Sequence, residues 1–353
     1  MKVNHSQAAN IIRTIGATNT LLLRGQPGIG KSDIFNSLRP ELPNHHFCYI
    51  DVANLDLGDL GMPVIDREDM VTNYAPNIRF GVGKSQTKPV VLMLDELGKA
   101  SRPVMNMLLP VILEHRIGDV KLPEGSIVFG TTNLDTDGVG DNIPAHAFNR
   151  MTVATLANPP VDDWLAWATN NNVPPEIMAF AHQTPEIFEC YTDLDPKAKN
   201  PYIFNPLTGN TKAYCSPRSL VKAGNIIKQR AVLGDATLPA LAGTIGESAA
   251  RQMDALINLA DQLPSFSDVV AKPDTAKVPT SAGALFLMAF MLVGKVTAET
   301  LDSVMAYAER MGGISFEAHA LFILTLATNR AKVGMACKNR NFTAAASKFG
   351  KYF

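Results

Sequence analysis

The residues from Gly25 to Ser32 have the types and spacing needed to hold a nucleoside triphosphate. They read Gly25-Gln26-Pro27-Gly28-Ile29-Gly30-Lys31-Ser32 and fit the phosphate-loop pattern G-x-x-x-x-G-K-[ST] in full. The glycines let successive backbone N–H groups point inward at the phosphates, because they adopt backbone angles that other residues disfavour. We expect Lys31 to reach the β- and γ-phosphates and Ser32 to hold Mg²⁺.

The segments on either side of this loop are the ones that a phosphate loop requires. Thr20–Arg24 is a short apolar run that predicts a buried parallel strand, and Asp33–Leu38 predicts the first turns of a helix. A helix N-terminus at this place adds a favourable field for an anion. The alternative is a chance glycine-rich turn, which the strand–loop–helix context disfavours.

Two adjacent carboxylates follow a second apolar run. Val90–Leu94 predicts a buried strand that ends at Asp95 and Glu96. Phosphoryl transfer needs a metal, a positioned water and little covalent help, so we assign Asp95 to Mg²⁺ and Glu96 to the attacking water. The alternative is a pair of acids in an ordinary strand–helix turn. Such turns are common, but the position after a phosphate loop favours the catalytic interpretation.

Three further polar residues are candidates for contacts to the transferred phosphate. Asn133 follows a predicted strand over Ser126–Thr131, where it can hydrogen-bond the γ-phosphate or the lytic water; the alternative is a turn asparagine. Arg150 can act as an arginine finger on a neighbouring subunit. Arg218, near the start of a predicted helix, can reach the phosphates and report the nucleotide state to a second domain. Taken singly, each arginine is more often a solvated surface charge.

The order of the predicted elements indicates an α/β fold. Strands and helices alternate up to about residue 158, which is typical of a parallel sheet with helices on both faces. Strand-like runs then become scarce and helices dominate. The predicted helices of this second part are Val161–Asn170, Glu176–Phe180, Pro217–Gln229, Leu238–Leu259, Thr280–Val293 and Ala298–Arg310. Residues 193–211 predict a long surface loop, and the basic stretch 338–353 predicts a loosely held end.

The composition suits a folded protein of about two domains. Of 353 residues, 46% are hydrophobic and 18% charged, which is ample for a packed core and argues against extensive disorder. The formal net charge of −1 gives no global attraction to nucleic acid or anionic membrane, although it does not report how the charges are distributed. The four cysteines form no C-x-x-C pair, so zinc and thioredoxin-like sites are excluded and a reducing compartment is expected.

No segment predicts export or a membrane span. The first residues lack the apolar stretch of a secretion signal. The longest strongly apolar run, Ala284–Val293, is too short to cross a bilayer and predicts a buried helix. We therefore expect a cytoplasmic protein.

These motifs, in this order, resemble the AAA+ ATPases, and in detail their MoxR branch in bacteria and phages, over about residues 5–330. Asp56–Pro63 is similar to the short acidic segment that follows the second strand in that branch. The resemblance implies a parallel five-stranded sheet flanked by helices, then an all-α lid and a helical C-terminal extension. The implied ranges are 1–158 for the ATPase domain, 159–230 for the lid and 231–353 for the extension. A helix-2 insert is implied at about 54–88 and a pre-sensor hairpin at about 116–125.

The resemblance also implies cofactors, assembly and partners. ATP and Mg²⁺ would lie at the subunit interfaces of a homo-hexamer, held by residues 25–32, Asp95, Glu96 and Asn133 of one subunit, with Arg150 donated by the next. Whether Arg218 acts within its own subunit or on a neighbour stays open. MoxR-type proteins commonly remodel or activate a target together with a partner that carries a von Willebrand factor A domain.

Two positions depart from the pattern of the branch. Lys99 stands where many relatives have an arginine, and lysine lacks the bidentate fork that arginine brings to a subunit contact. The triplet Asn149-Arg150-Met151 stands where relatives often have Asp-Arg-Phe, but Arg150 itself is retained. Neither departure removes a predicted catalytic group.

The sequence leaves three functions open. The first, favoured by the full set of hydrolysis residues and two pore-directed insertions, is an ATP-driven ring that remodels a protein. The second is a nucleic-acid translocase, which the cations Lys84, Lys88, Arg116 and Lys121 of the insertions support and the net charge opposes. The third is a binding module that uses nucleotide only as a switch, which the presence of Glu96 disfavours.

Overall fold

The computed structural model describes residues 1–83, 85–134, 143–195, 199–208 and 212–350. Lys84 and parts of the predicted loop 193–211 therefore lie outside the described residues. The chain divides into two compact units, each described by itself below. The first comprises Met1–Asn158 with Asn205–Gly209, and the second comprises Pro159–Phe204 with Asn210–Phe353.

The first unit is built on a parallel sheet of six strands in the order β1-β10-β2-β9-β6-β3. The strands are β1 (Lys2–Val3), β2 (Leu21–Arg24), β3 (His46–Asp51), β6 (Val90–Asp95), β9 (Ile127–Thr132) and β10 (Thr152–Leu156). All neighbouring pairs run parallel. The central strands read as near-continuous apolar runs because both faces of the sheet are covered.

Alternate residues of the central strands enter two different cores. Leu22 and Leu92 belong to the core on one face, whereas Leu21, Leu23 and Met93 belong to the core on the other. This alternation follows from the two-residue period of a strand. The helices of the unit are α1 (His5–Ile15), α2 (Asp33–Ser37), α3 (Arg102–Glu114) and α4 (Ala145–Phe148). The predicted parallel sheet flanked by helices is confirmed.

The sheet has one strand more than the five that the resemblance implies. The additional strand is β1, which has only two residues and pairs with β10 at the edge, Lys2 opposite Thr155 and Val3 opposite Leu156. Two residues are too few for a periodic pattern, so the sequence gives no signal for this strand.

Two antiparallel hairpins occupy the positions of the expected insertions. The longer joins β4 (Gly61–Asp66) to β5 (Val71–Pro76), and the shorter joins β7 (Arg116–Ile117) to β8 (Val120–Lys121). They touch each other where the backbone N–H of Tyr74 donates to the Asp119 carboxylate, 3.3 Å away.

Helices are the regular secondary structure of the second unit over its described residues. Its helices are α5 (Val161–Asn170), α6 (Pro175–Gln183), α7 (Pro217–Lys228), α8 (Arg230–Leu233), α9 (Thr237–Ile245), α10 (Glu247–Ala260), α11 (Phe266–Ala271), α12 (Ala282–Lys295), α13 (Leu301–Gly312), α14 (Phe316–Thr328), α15 (Val333–Ala336) and α16 (Arg340–Phe349). None of the helices in the described ranges is both long and apolar enough to cross a membrane.

The single helix predicted over Leu238–Leu259 is wrong, because Gly246 divides it into α9 and α10. Gly246 has φ of 86°, and a Cβ there would lie 2.8 Å from the carbonyl oxygen of Ala213. Only glycine accepts both the positive φ and this close approach, so the chain turns at this residue.

The loosely held C-terminal end predicted from its basic residues is also wrong for the described part. There α16 buries Phe342 and Phe349 in the core that α12, α13 and α14 form. The two aromatic residues lie seven apart, which places them on one face of a helix.

Candidate active site

The loop between β2 and α2 has the backbone of an anion cradle. Gly28 and Gly30 have φ of 82° and 94°, which other residues strongly disfavour. The imidazole Nε2 of His5, in α1, lies 2.9 Å from the carbonyl oxygen of Ile29 and ties the loop to the helix before it. The loop is thus held in shape by its own glycines and by α1.

Lys31 extends under this loop and is only 9% exposed. Its ammonium donates to the carbonyl oxygens of Gly25 and Gln26, at 2.5 and 2.9 Å, and to Oδ1 of Asn133 at 2.9 Å. Three acceptors satisfy the three protons of the buried charge. The third bond connects the loop to the end of β9, so the structure brings Lys31 and Asn133 together.

Asp95 is the last residue of β6, is 8% exposed and accepts hydrogen bonds from three hydroxyl groups. Ser32 donates to Oδ2 from 3.0 Å and Tyr49 to the same oxygen from 2.7 Å. Thr131 donates to Oδ1. A carboxylate with charge-assisted hydrogen bonds on both oxygens is fixed in orientation. Ser32 and Asp95 have roles that the sequence predicts, whereas Tyr49 and Thr131 lie in no motif that predicts one.

The Tyr49 hydroxyl remains a donor at any ordinary working pH. Partial burial and then the hydrogen bond to Asp95 raise the pKa of Tyr49 well above its usual value, with smaller effects from the charges of Asp95, Asp51 and Glu96. All of these causes disfavour the phenolate, which would place another negative charge among carboxylates.

Glu96 lies in an unusual backbone conformation directly after Asp95. Its φ and ψ are 55° and 40°, the left-handed region that glycine favours. Its N–H donates to the Thr131 hydroxyl, 3.2 Å away, and its carbonyl oxygen accepts from the N–H of Lys99 at 2.9 Å. The Glu96 carboxylate pairs with the Lys99 ammonium at 2.7 Å. Non-glycine residues in this region cost about 1–3 kcal/mol and cluster at functional sites.

Gln26 adds a buried donor to the loop. Its Oε1 accepts from Nδ2 of Asn158 at 3.1 Å, while its Nε2 has no hydrogen-bond partner among the described residues. An unpaired amide donor this deeply buried is costly unless a ligand or water accepts from it. Its place within the phosphate loop fits an anionic ligand.

The donor set also fits Mg²⁺. The Ser32 hydroxyl and the Asp95 carboxylate are oxygen donors 3.0 Å apart beside Lys31. Mg²⁺ is usually bound through one or two carboxylates and substrate phosphates rather than by a cage of protein ligands. The described part of the chain contains no cluster of three or more His, Cys, Asp or Glu residues that could form such a cage.

The two predicted arginines are both exposed. Arg150 is exposed and follows α4, with its N–H donating to the Ala147 carbonyl at 3.1 Å. Arg218 is exposed in the first turn of α7, in the second unit, after the N-cap residue Ser216 and Pro217. The first unit thus assembles Lys31, Ser32, Asp95, Glu96 and Asn133, whereas Arg218 belongs to the second unit.

Comparison with known proteins gives a distant likeness in fold. No family model matches the chain. The RuvB branch-migration motor of Thermotoga maritima is 15% identical, with 87% of each chain covered and a TM-score of 0.39. NtrX of Brucella abortus, in complex with ADP, is 14% identical over 98% of this chain and 68% of that chain, with a TM-score of 0.38. At these values the likeness extends to the fold and not to the function.

Proposed function

We propose that the protein is an AAA+ ATPase of the MoxR type that couples ATP hydrolysis in a ring to the remodelling of a partner protein. One observation carries the ATPase proposal. A glycine loop, a buried lysine, a carboxylate joined to a loop hydroxyl and a second carboxylate meet where β2, β6 and β9 end. In open α/β sheets, ligands bind at the carboxyl ends of the strands.

Each residue of the cluster has a role that its contacts support. The Lys31 ammonium, now held by three neutral acceptors, would exchange them for the β- and γ-phosphates, since charged acceptors bind an ammonium more strongly. Ser32 and Asp95 would hold Mg²⁺, which neutralises charge on the phosphates. Asn133 would donate its amide to the γ-phosphate or to the attacking water.

Glu96 would polarise the attacking water once it is released from Lys99. Its carboxylate is paired with the Lys99 ammonium, so it has to leave that partner before both of its oxygens can accept from a water. Both side chains are more than a third exposed, so solvent screens the pair and little free energy holds it together. The release of Glu96 from Lys99 before hydrolysis therefore costs little free energy.

Arg150 supports a shared site between subunits. A guanidinium that stabilises the transition state from a neighbouring subunit must be exposed, as Arg150 is. We propose a homo-hexamer on this basis. Mixed rings test it: a Lys31→Ala subunit, which cannot bind ATP, should still support hydrolysis by an intact neighbour, whereas a Lys31→Ala, Arg150→Ala subunit should not. Equal support from both would contradict the donated finger.

The longer hairpin favours a protein target over a nucleic acid. It exposes apolar side chains, with Met70 at its turn 83% exposed and Ile65 69% exposed. The turn Asp66-Arg67-Glu68-Asp69 carries three carboxylates and one guanidinium, a balance that repels phosphate backbones. Apolar exposure of this kind marks protein contacts. A protein with a von Willebrand factor A domain is the proposed partner class.

Capture with a hydrolysis-deficient variant tests the function. Glu96→Gln in ATP should retain its target, and Lys31→Ala should retain nothing under the same conditions. Recovery of a protein with a von Willebrand factor A domain supports the proposal. ATP hydrolysis that DNA stimulates, with stimulation lost as salt rises, would replace remodelling by nucleic-acid translocation. Nucleotide binding that Lys31→Ala leaves unchanged would refute the site.

A further inference from the structure

Tyr49, in the edge strand β3, donates a hydrogen bond to the carboxylate of Asp95 at the end of β6. In the sheet register Tyr49 stands opposite Met93, and Asp51 stands opposite Asp95. Tyr49 and Asp95 are thus diagonal neighbours on the same face, a separation that only long side chains bridge. The tyrosine ring covers this distance and its hydroxyl ends 2.7 Å from Oδ2.

Most hydrogen-bond acceptor sites of the Asp95 carboxylate are occupied. An ionised carboxylate has about four lone-pair sites. Thr131 occupies one on Oδ1, while Ser32 and Tyr49 occupy two on Oδ2. About one site is left, on Oδ1, for a further donor. Three hydroxyl groups from three different parts of the fold therefore fix the plane of the carboxylate and leave it one direction in which to bind.

We propose that Tyr49 is a positioning residue, which orients Asp95 toward the nucleotide's Mg²⁺ and thereby sets how strongly Mg²⁺ strengthens ATP binding. This inference rests on the proposed function of the site. Tyr49 acts through Asp95, which it holds by a charge-assisted hydrogen bond, and removing such an outer partner typically weakens metal affinity about 10–100-fold.

The surroundings of Tyr49 separate this role from a purely structural one. The residue is 48% exposed, and its ring packs on Phe35 with centroids 6.3 Å apart. Tyr49→Phe keeps that packing and removes only the hydroxyl. Phe35 also packs on Phe47 with ring centroids 5.2 Å apart, so the variant leaves this group of aromatic rings in place.

The test is equilibrium binding of a fluorescent ATP analogue to the full chain, in Mg²⁺ and in EDTA. For Tyr49→Phe we expect the ratio of the two affinities to fall about 10-fold, while the affinity in EDTA stays at the wild-type value. The matched control is Tyr74→Phe, which removes a tyrosine hydroxyl from the exposed hairpin strand β5 and should leave both affinities unchanged.

A double-mutant cycle supplies the second measurement. In an Asp95→Asn background, Tyr49→Phe should change the Mg²⁺ effect no further, because the tyrosine acts only through that carboxylate. An unchanged ratio in the single variant overturns the inference, and so does an equal loss of affinity in Mg²⁺ and in EDTA. Wild-type protein that binds no nucleotide would instead refute the proposed function, and the two failures are thus distinct.

Discussion

Replacing Glu96 by glycine should stabilise the first unit relative to replacing it by glutamine. Both changes remove the carboxylate and its pair with Lys99, so the two variants differ only in how they accept φ of 55°. A side chain in the left-handed region costs about 1–2 kcal/mol. Glycine avoids that cost. It lowers the free energy of unfolding by about 0.5–1 kcal/mol, however, because a glycine loses more conformational entropy on folding than other residues do.

The mid-values of these two ranges favour Glu96→Gly over Glu96→Gln by about 0.75 kcal/mol, or roughly 1.5–3 °C in Tm for a unit of this size. Urea denaturation and thermal melting of the two variants measure the difference. The control pair is Glu114→Gly and Glu114→Gln in helix α3, where glycine should be the less stable by up to about 1 kcal/mol. The same sign at both positions would refute the strained backbone of Glu96.

Three further changes have expected outcomes. Gly30→Ala should lower nucleotide affinity at least ~10-fold, because a side chain at φ of 94° would distort the cradle; a binding titration measures it. Gly243→Ala, inside α9 with open space around it, should raise stability by about 1 kcal/mol in urea denaturation. Burial against Phe286 lowers the pKa of His182 below its ordinary 6.5, against the pull of Asp162 and Glu317. The unfolded chain then binds the proton more readily, so stability should fall as pH drops below about 6.5, and His182→Leu should flatten that fall.

The strands that carry the site could be predicted because they are buried on both faces. Such strands are continuous apolar runs, as in Val90–Leu94, and they are easily recognised in a sequence. Each is followed by polar residues that mark its end. The strand β10 gives no such signal. Its residues Thr152–Leu156 alternate in burial and include two threonines, which gives a weaker pattern.

The bend at Gly246 could not be read from the sequence because its cause is tertiary. A lone glycine within a helical pattern is tolerated, at a cost of about 1 kcal/mol. What ends α9 is a carbonyl oxygen from Ala213, more than thirty residues earlier, which leaves no space for a Cβ. Helical periodicity contains no information about such a contact.

Some residues of the candidate site can likewise be predicted from the sequence, and others cannot. Lys31, Ser32, Asp95 and Glu96 lie in short motifs whose spacing carries their chemistry. Tyr49 and Thr131 reach Asp95 only because β3 and β9 lie on either side of β6 in a fixed register. A tyrosine within one strand gives no sign of which carboxylate it will meet, so sequence reasoning could not assign it.

The most direct test of the central claim is the steady-state release of phosphate from ATP by the wild-type protein and by Glu96→Gln. The wild type should hydrolyse ATP with Mg²⁺, and the variant should bind ATP with similar affinity while hydrolysing it about 10²–10⁴-fold more slowly. Hydrolysis at the wild-type rate by Glu96→Gln would contradict the account, since the carboxylate would then have no part in the chemistry.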